Sequence, residues 1–111
     1  MLHTFCSLKD CKDGAFPETT LLLGSAGNLF GTTFAGGGND VDQYQEGGGV
    51  AFELSGTTLT VLHRFCAQGG SACSDGMYPS GKLVMDSTGH LFGTTQLGGL
   101  NGGGEVFRLT P

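Results

Sequence analysis

The residues of this chain that could do chemistry come in pairs. Asp13-Gly14 and Asp75-Gly76 place two carboxylates 62 positions apart. Two carboxylates on facing walls of a cleft could hydrolyse a glycosidic bond, provided their surroundings drive their pKa values apart. These two stand in near-copies of one sequence, which argues against divided acid and base roles. An aspartate before glycine also has an ordinary task, accepting hydrogen bonds within a turn. The hydroxyls of Thr32, Thr33, Thr94 and Thr95, with Tyr44, Tyr78, Gln96 and Asn101, could form a polar, aromatic-edged pocket for a glycan. Paired threonines are equally what strand propensity selects. Asp40, Asp42 and Glu46, in Gly36-Gly37-Gly38-Asn39-Asp40-Val41-Asp42 and just beyond it, are the calcium candidates. One such turn is a weak site, because calcium repeats of this kind take ligands from stacked turns. Calcium aside, no cofactor is expected.

The four cysteines form two short pairs, Cys6/Cys11 and Cys66/Cys73. A local disulfide in each would staple a loop ahead of the Asp-Gly turn. Zinc pairs usually run C-x2–4-C, whereas these spacings are four and six. His3 and His63 precede the cysteines and keep metal binding and free thiols open as alternatives. Disulfides imply an oxidising compartment and hence an exported, secreted or cell-surface protein. No G-x-S-x-G or H-E-x-x-H occurs, and nothing marks a Ser-His-Asp arrangement.

These residues are positioned by a repeat. Gly27-Asn28-Leu29-Phe30-Gly31-Thr32-Thr33 returns as Gly89-His90-Leu91-Phe92-Gly93-Thr94-Thr95. Phe5-Cys6 answers to Phe65-Cys66, Pro17 to Pro79, and Gly36-Gly37 to Gly98-Gly99. Gly49, Phe52 and Leu54 answer to Gly104, Phe107 and Leu109. The first repeat covers about residues 2–57, the second about 58–111, and Asn39–Glu46 is an insertion in the first. A period above 50 residues marks a repeat architecture.

Each repeat reads as short strands. The expected strands are Leu2–Phe5, Thr19–Leu23, Asn28–Phe34, Val50–Leu54, Thr58–Phe65, Lys82–Asp86, His90–Thr95 and Glu105–Leu109. Between the sixth and seventh, Asp86 can bond the turn backbone while Gly89 supplies a positive φ. No window shows a capped helical period. The 22 glycines fall in clusters between runs rich in Leu, Val, Phe and Thr, which is turn punctuation rather than collagen or disorder.

With five Lys and Arg against ten Asp and Glu, the net charge is −5. Nucleic acid binding needs clustered positive charge, so it is excluded as a partner. No apolar run approaches the ~20 residues of a membrane-spanning helix, so membrane insertion is not expected. Met1-Leu2-His3-Thr4 carries no basic and apolar leader pattern, and the chain begins inside a repeat.

The expected fold is all-β: two four-stranded antiparallel blades of the β-propeller type. Leu2–Phe5 matches the last strand of a blade, Leu62–Phe65, so it could complete the blade of a neighbouring chain. That would give a homo-oligomeric ring, a trimer or tetramer. The structural alternative is a small self-contained β-sandwich or barrel.

The pattern F-C…C…D-G…P…G-N-L-F-G-T-T…G-G…G-G-G-x-V-F-x-L-T-P resembles the GloVer-type (Gloeo–Verruco) tandem repeat of bacterial extracellular proteins. The resemblance covers essentially the whole chain in two copies. Its residues in the second copy include Asp75-Gly76, Pro79, Leu91-Phe92-Gly93-Thr94-Thr95, Gly98-Gly99 and Leu109-Thr110-Pro111. It implies exported propeller-forming proteins and no established catalytic activity. The expected function is thus a non-catalytic, self-assembling scaffold or glycan-binding module. The alternative is a carbohydrate-active hydrolase or lyase with its site in the propeller funnel.

Overall fold

The computed structural model describes residues 1–8, 11–17, 20–37, 48–66, 73 and 76–111. Seven strands are found among them: β1 (Leu22–Leu23), β2 (Leu29–Thr32), β3 (Val50–Ser55), β4 (Thr58–Arg64), β5 (Met77–Met85), β6 (Leu91–Leu97) and β7 (Val106–Leu109). They form two antiparallel sheets, β1-β2-β3-β4 and β5-β6-β7. No α-helix occurs among the described residues, and within the chain they close neither a barrel nor a propeller ring.

The two sheets are copies of each other. Leu29 lies opposite Leu54 as Leu91 lies opposite Leu109, and Gly31 opposite Phe52 as Gly93 opposite Phe107. The close approach across the middle strand requires glycine. A Cβ on Gly31 would fall 2.8 Å from the Phe52 ring, and one on Gly93 2.6 Å from the Phe107 ring. The turn feeding β6 is held as its sequence implies. Asp86 Oδ1 accepts the Thr88 N–H at 2.9 Å, the Thr88 hydroxyl at 2.8 Å and the His90 N–H at 2.9 Å, and Gly89 has φ +91°.

Two elements differ from expectation. Leu2–Phe5 belongs to neither sheet. Its sequence counterpart Leu62–Arg64 is a strand because β3 offers an edge, with Arg64 opposite Val50 and His63 opposite Ala51. The N-terminal segment meets no such edge and lies across the face of its own sheet instead, with the Phe5 ring 5.1 Å from Phe52. The second difference is β5, which begins five residues before the expected Lys82. Pro79 and Gly81 read as turn residues, yet β5 is an edge strand, where proline is tolerated. A register shift between Ser80 and Val84 takes up the irregularity.

The sheets stack face to face. Leu22, Phe30 and Leu62 of the first sheet meet Leu83, Leu91 and Phe107 of the second. Phe30 is 2% exposed and Leu91 fully buried. Beside this core the backbone crosses between repeats: Phe65 N–H donates to Gly49 O at 2.9 Å and Tyr78 N–H to Gly48 O at 2.7 Å.

Candidate functional site

The first site to build is the stapled loop. Cys6 and Cys11 form one disulfide and Cys66 and Cys73 the other. This settles the cysteines as disulfides, which suggests an oxidising environment. Within the first loop the buried Asp13 carboxylate is the organiser. Its Oδ2 accepts the Ser7 hydroxyl at 2.7 Å and the Ser7 N–H at 3.2 Å, and His3 Nε2 lies 3.0 Å away. Its Oδ1 accepts the Leu8 N–H at 3.3 Å. Burial alone would raise the pKa of Asp13. The Ser7 hydroxyl and the backbone N–H groups outweigh it and hold the group below its ordinary value. A carboxylate held ionised with both oxygens engaged is a loop anchor, ill-suited to act as a general acid. His3, Ser7, Asp13 and Arg64 line an open cleft of about 480 Å³. Of its polar groups, His3, Ser7 and Asp13 are those that fix the loop.

Among the described residues, the hydroxyl pocket expected from the sequence is not brought together. Thr32, Thr33 and Thr95 are buried. Thr33 Oγ1 donates to Ala35 O at 2.8 Å and accepts the Val50 N–H at 3.1 Å. Thr95 Oγ1 accepts the Glu105 N–H at 2.9 Å, the same bond in the second repeat. These hydroxyls therefore tie strands together, and burial removes them from a ligand's reach. Thr94 is exposed and donates to Ser80 O at 3.0 Å. Gln96 and Asn101 are exposed. Tyr78 stacks on Phe34 with centroids 4.6 Å apart and planes 7° from parallel, at the junction of the repeats. Tyr44 and the calcium candidates Asp40, Asp42 and Glu46 lie outside the described residues.

What the geometry does assemble is a pair of open faces and an open edge, which sequence reasoning located only in part. On the first sheet, the face opposite the core carries exposed Leu21, half-buried Leu29, and the buried Phe52 and Leu54, with the Phe5 ring on Phe52. With Leu2 and Phe5 it borders an apolar groove of about 330 Å³. On the second sheet, the face opposite the core carries Val84 and Phe92, with Val106 at its rim. Val84 is 51% and Val106 78% exposed. Among the described residues β7 pairs with β6 alone, so its outer edge is open.

Backbone strain marks the same surfaces. Phe16 and Tyr78 stand at equivalent repeat positions, with φ of 58° and 59°. Non-glycine residues seldom adopt this region, which costs roughly 1–2 kcal/mol. Tyr78 uses it to lay its ring on Phe34, whereas the Phe16 side is 60% exposed.

Comparison with protein-family models, curated proteins and solved structures finds no match.

Proposed function

We propose that this protein is a non-catalytic, exported repeat module that assembles with copies of itself into a scaffold. One observation carries the reading: the sheets stack through opposite faces, and each leaves outside the stack the face its counterpart uses. A repeat built this way is complete only between two neighbours. In a stack of two, one apolar face stays open at each end. The disulfides support export, and the paired loops brace a module exposed outside the cell.

A propeller blade is a sheet of four antiparallel strands; the first sheet has four and the second has three, so a strand from a neighbouring copy would complete it. We read the assembly as a ring of about three or four chains, whose six or eight blades fall within the range of about four to eight that propellers hold. This agrees with the resemblance to GloVer-type extracellular repeats. A glycan is the ligand class we assign to such a scaffold. The exposed Asn101 is the described polar position for it.

The test is the solution mass of the non-reduced chain by light scattering. A mass of several times 11.4 kDa is expected. A folded particle of 11.4 kDa at every concentration would refute self-assembly.

A further inference from the structure

The junction inside the chain is a template for a junction between chains. Leu22 and Phe30 sit in it, and their repeat counterparts, Val84 and Phe92, lie on the open face of the second sheet. Leu83, Leu91, Phe107 and Leu109 also sit in it, and their counterparts, Leu21, Leu29, Phe52 and Leu54, line the open groove of the first sheet. The two open faces are thus copies of two surfaces already seen packed together.

We infer that the second-sheet face and β7 edge of one copy dock on the first-sheet groove of a second copy, continuing the internal junction head to tail. The inference rests on the scaffold reading above and gives it a definite interface. Its register follows from the repeat. Arg64 lies opposite Val50 and His63 opposite Ala51, so Thr4 of the second copy lies opposite Glu105 and its His3 opposite Val106. Phe65 N–H donates to Gly49 O, so Phe5 N–H of the second copy donates to Gly104 O. Tyr78 N–H donates to Gly48 O, so Phe16 N–H of the second copy donates to Gly103 O.

Three local features fit this occupant. Phe5 already holds over Phe52 the pose that Phe65 holds over Phe107, with centroids at 5.1 and 4.9 Å and tilts of 58° and 59°. His3 meets Phe5 edge-on at 4.7 Å and 79°, matching His63 on Phe65. The N-terminal segment is therefore already arranged as the end of a fourth strand, beginning where a neighbour's β7 would take it up. Phe16 is held in the strained conformation of Tyr78 with its ring open to solvent, where Gln96 of the neighbouring copy would cover it as Phe34 covers Tyr78. A junction of two different surfaces is heterologous, so it propagates into a ring when the rotation closes.

The test uses two double variants at exposed positions, each checked for native circular dichroism. The groove variant is Phe16→Asp with Leu21→Asp, and the face variant is Val84→Asp with Val106→Asp. Burying two unpaired carboxylates should weaken association about 100-fold or more, leaving each variant monomeric where the native chain assembles. Mixed in equal amounts, the two variants should form a dimer and nothing larger, because one intact face meets one intact groove. Native-like assembly of either variant overturns the inference, as does a mixture that stays monomeric, while an oligomeric native chain would leave the scaffold reading standing. A native chain that is monomeric throughout overturns both and assigns the open faces to another partner or to further repeats of the same polypeptide.

Discussion

Leu91 and Leu29 occupy one repeat position in two environments, and replacing each by alanine measures what the stack contributes. Leu91 is fully buried between the sheets against Phe30 and Leu83. Leu29 is half-buried on the open groove. Truncating a fully buried leucine costs its transfer free energy plus the cavity left behind, about 2–5 kcal/mol in all. At a half-buried site roughly half the transfer term is lost and solvent enters the space, so the cost is about 1 kcal/mol. A domain of this size holds about 5–15 kcal/mol in total. Leu91→Ala should therefore bring it visibly closer to unfolding, while Leu29→Ala should not. The assay is urea unfolding followed by circular dichroism, without reductant, in dilute and concentrated solution. In dilute solution the gap between the variants should be at least about 1 kcal/mol. On the proposed docking a second copy would cover Leu29 in concentrated solution, and the gap should shrink. Equal costs in dilute solution would refute the stacked core, and a gap independent of concentration would refute the equivalence of the two faces.

Reducing both disulfides should cost about 2 kcal/mol for each short loop by the chain-entropy model, read as a lower urea midpoint in reductant. Thr33→Val leaves the buried Val50 N–H without its acceptor and should cost about 1–3 kcal/mol in the same assay. Asp86 is held at about 2 by the Thr88 hydroxyl and by the N–H groups of His90 and Thr88, against an ordinary value of 3.8. Its depressed folded-state value means that its stabilisation is present above the unfolded pKa and is lost as pH falls through the folded one. Asp86→Asn should therefore flatten the acid limb of the stability curve between about pH 4 and 2, measured as melting temperature against pH.

The repeat and the hairpin turns were legible in the sequence because each depends on residues close together along the chain. Asp86 and Gly89 make the turn they spell out, and the cysteines pair within their own loops. The stacking of the sheets was not legible. Leu21, Leu22 and Leu23 are consecutive, so both faces of that stretch are apolar and alternation names neither as the core. The threonines misled for a related reason. A strand hydroxyl reads alike whether it meets a ligand or a backbone N–H, and Thr33 and Thr95 meet Val50 and Glu105. No residue pattern announces a left-handed aromatic, so the strain at Phe16 and Tyr78 emerges only from the backbone. Leu2–Phe5 carries the residues of a strand, but a strand also needs an edge, which lies beyond the reach of local pattern.

That edge gives the most direct measurement. Glu105 points both its backbone groups at Thr95, accepting its N–H at 2.8 Å and donating to its hydroxyl. By antiparallel alternation, the N–H groups of Val106 and Arg108 then face outward from β7. Amide hydrogen exchange at Val106, which the repeat register sets opposite His3 of a second copy, reports whether a strand has arrived when followed by nuclear magnetic resonance across concentration. The account predicts fast exchange there in dilute solution and strong protection once the chains assemble, with Phe107 protected throughout. Fast exchange at Val106 in an oligomer of established mass would contradict it, because the copies would then be meeting through some other surface.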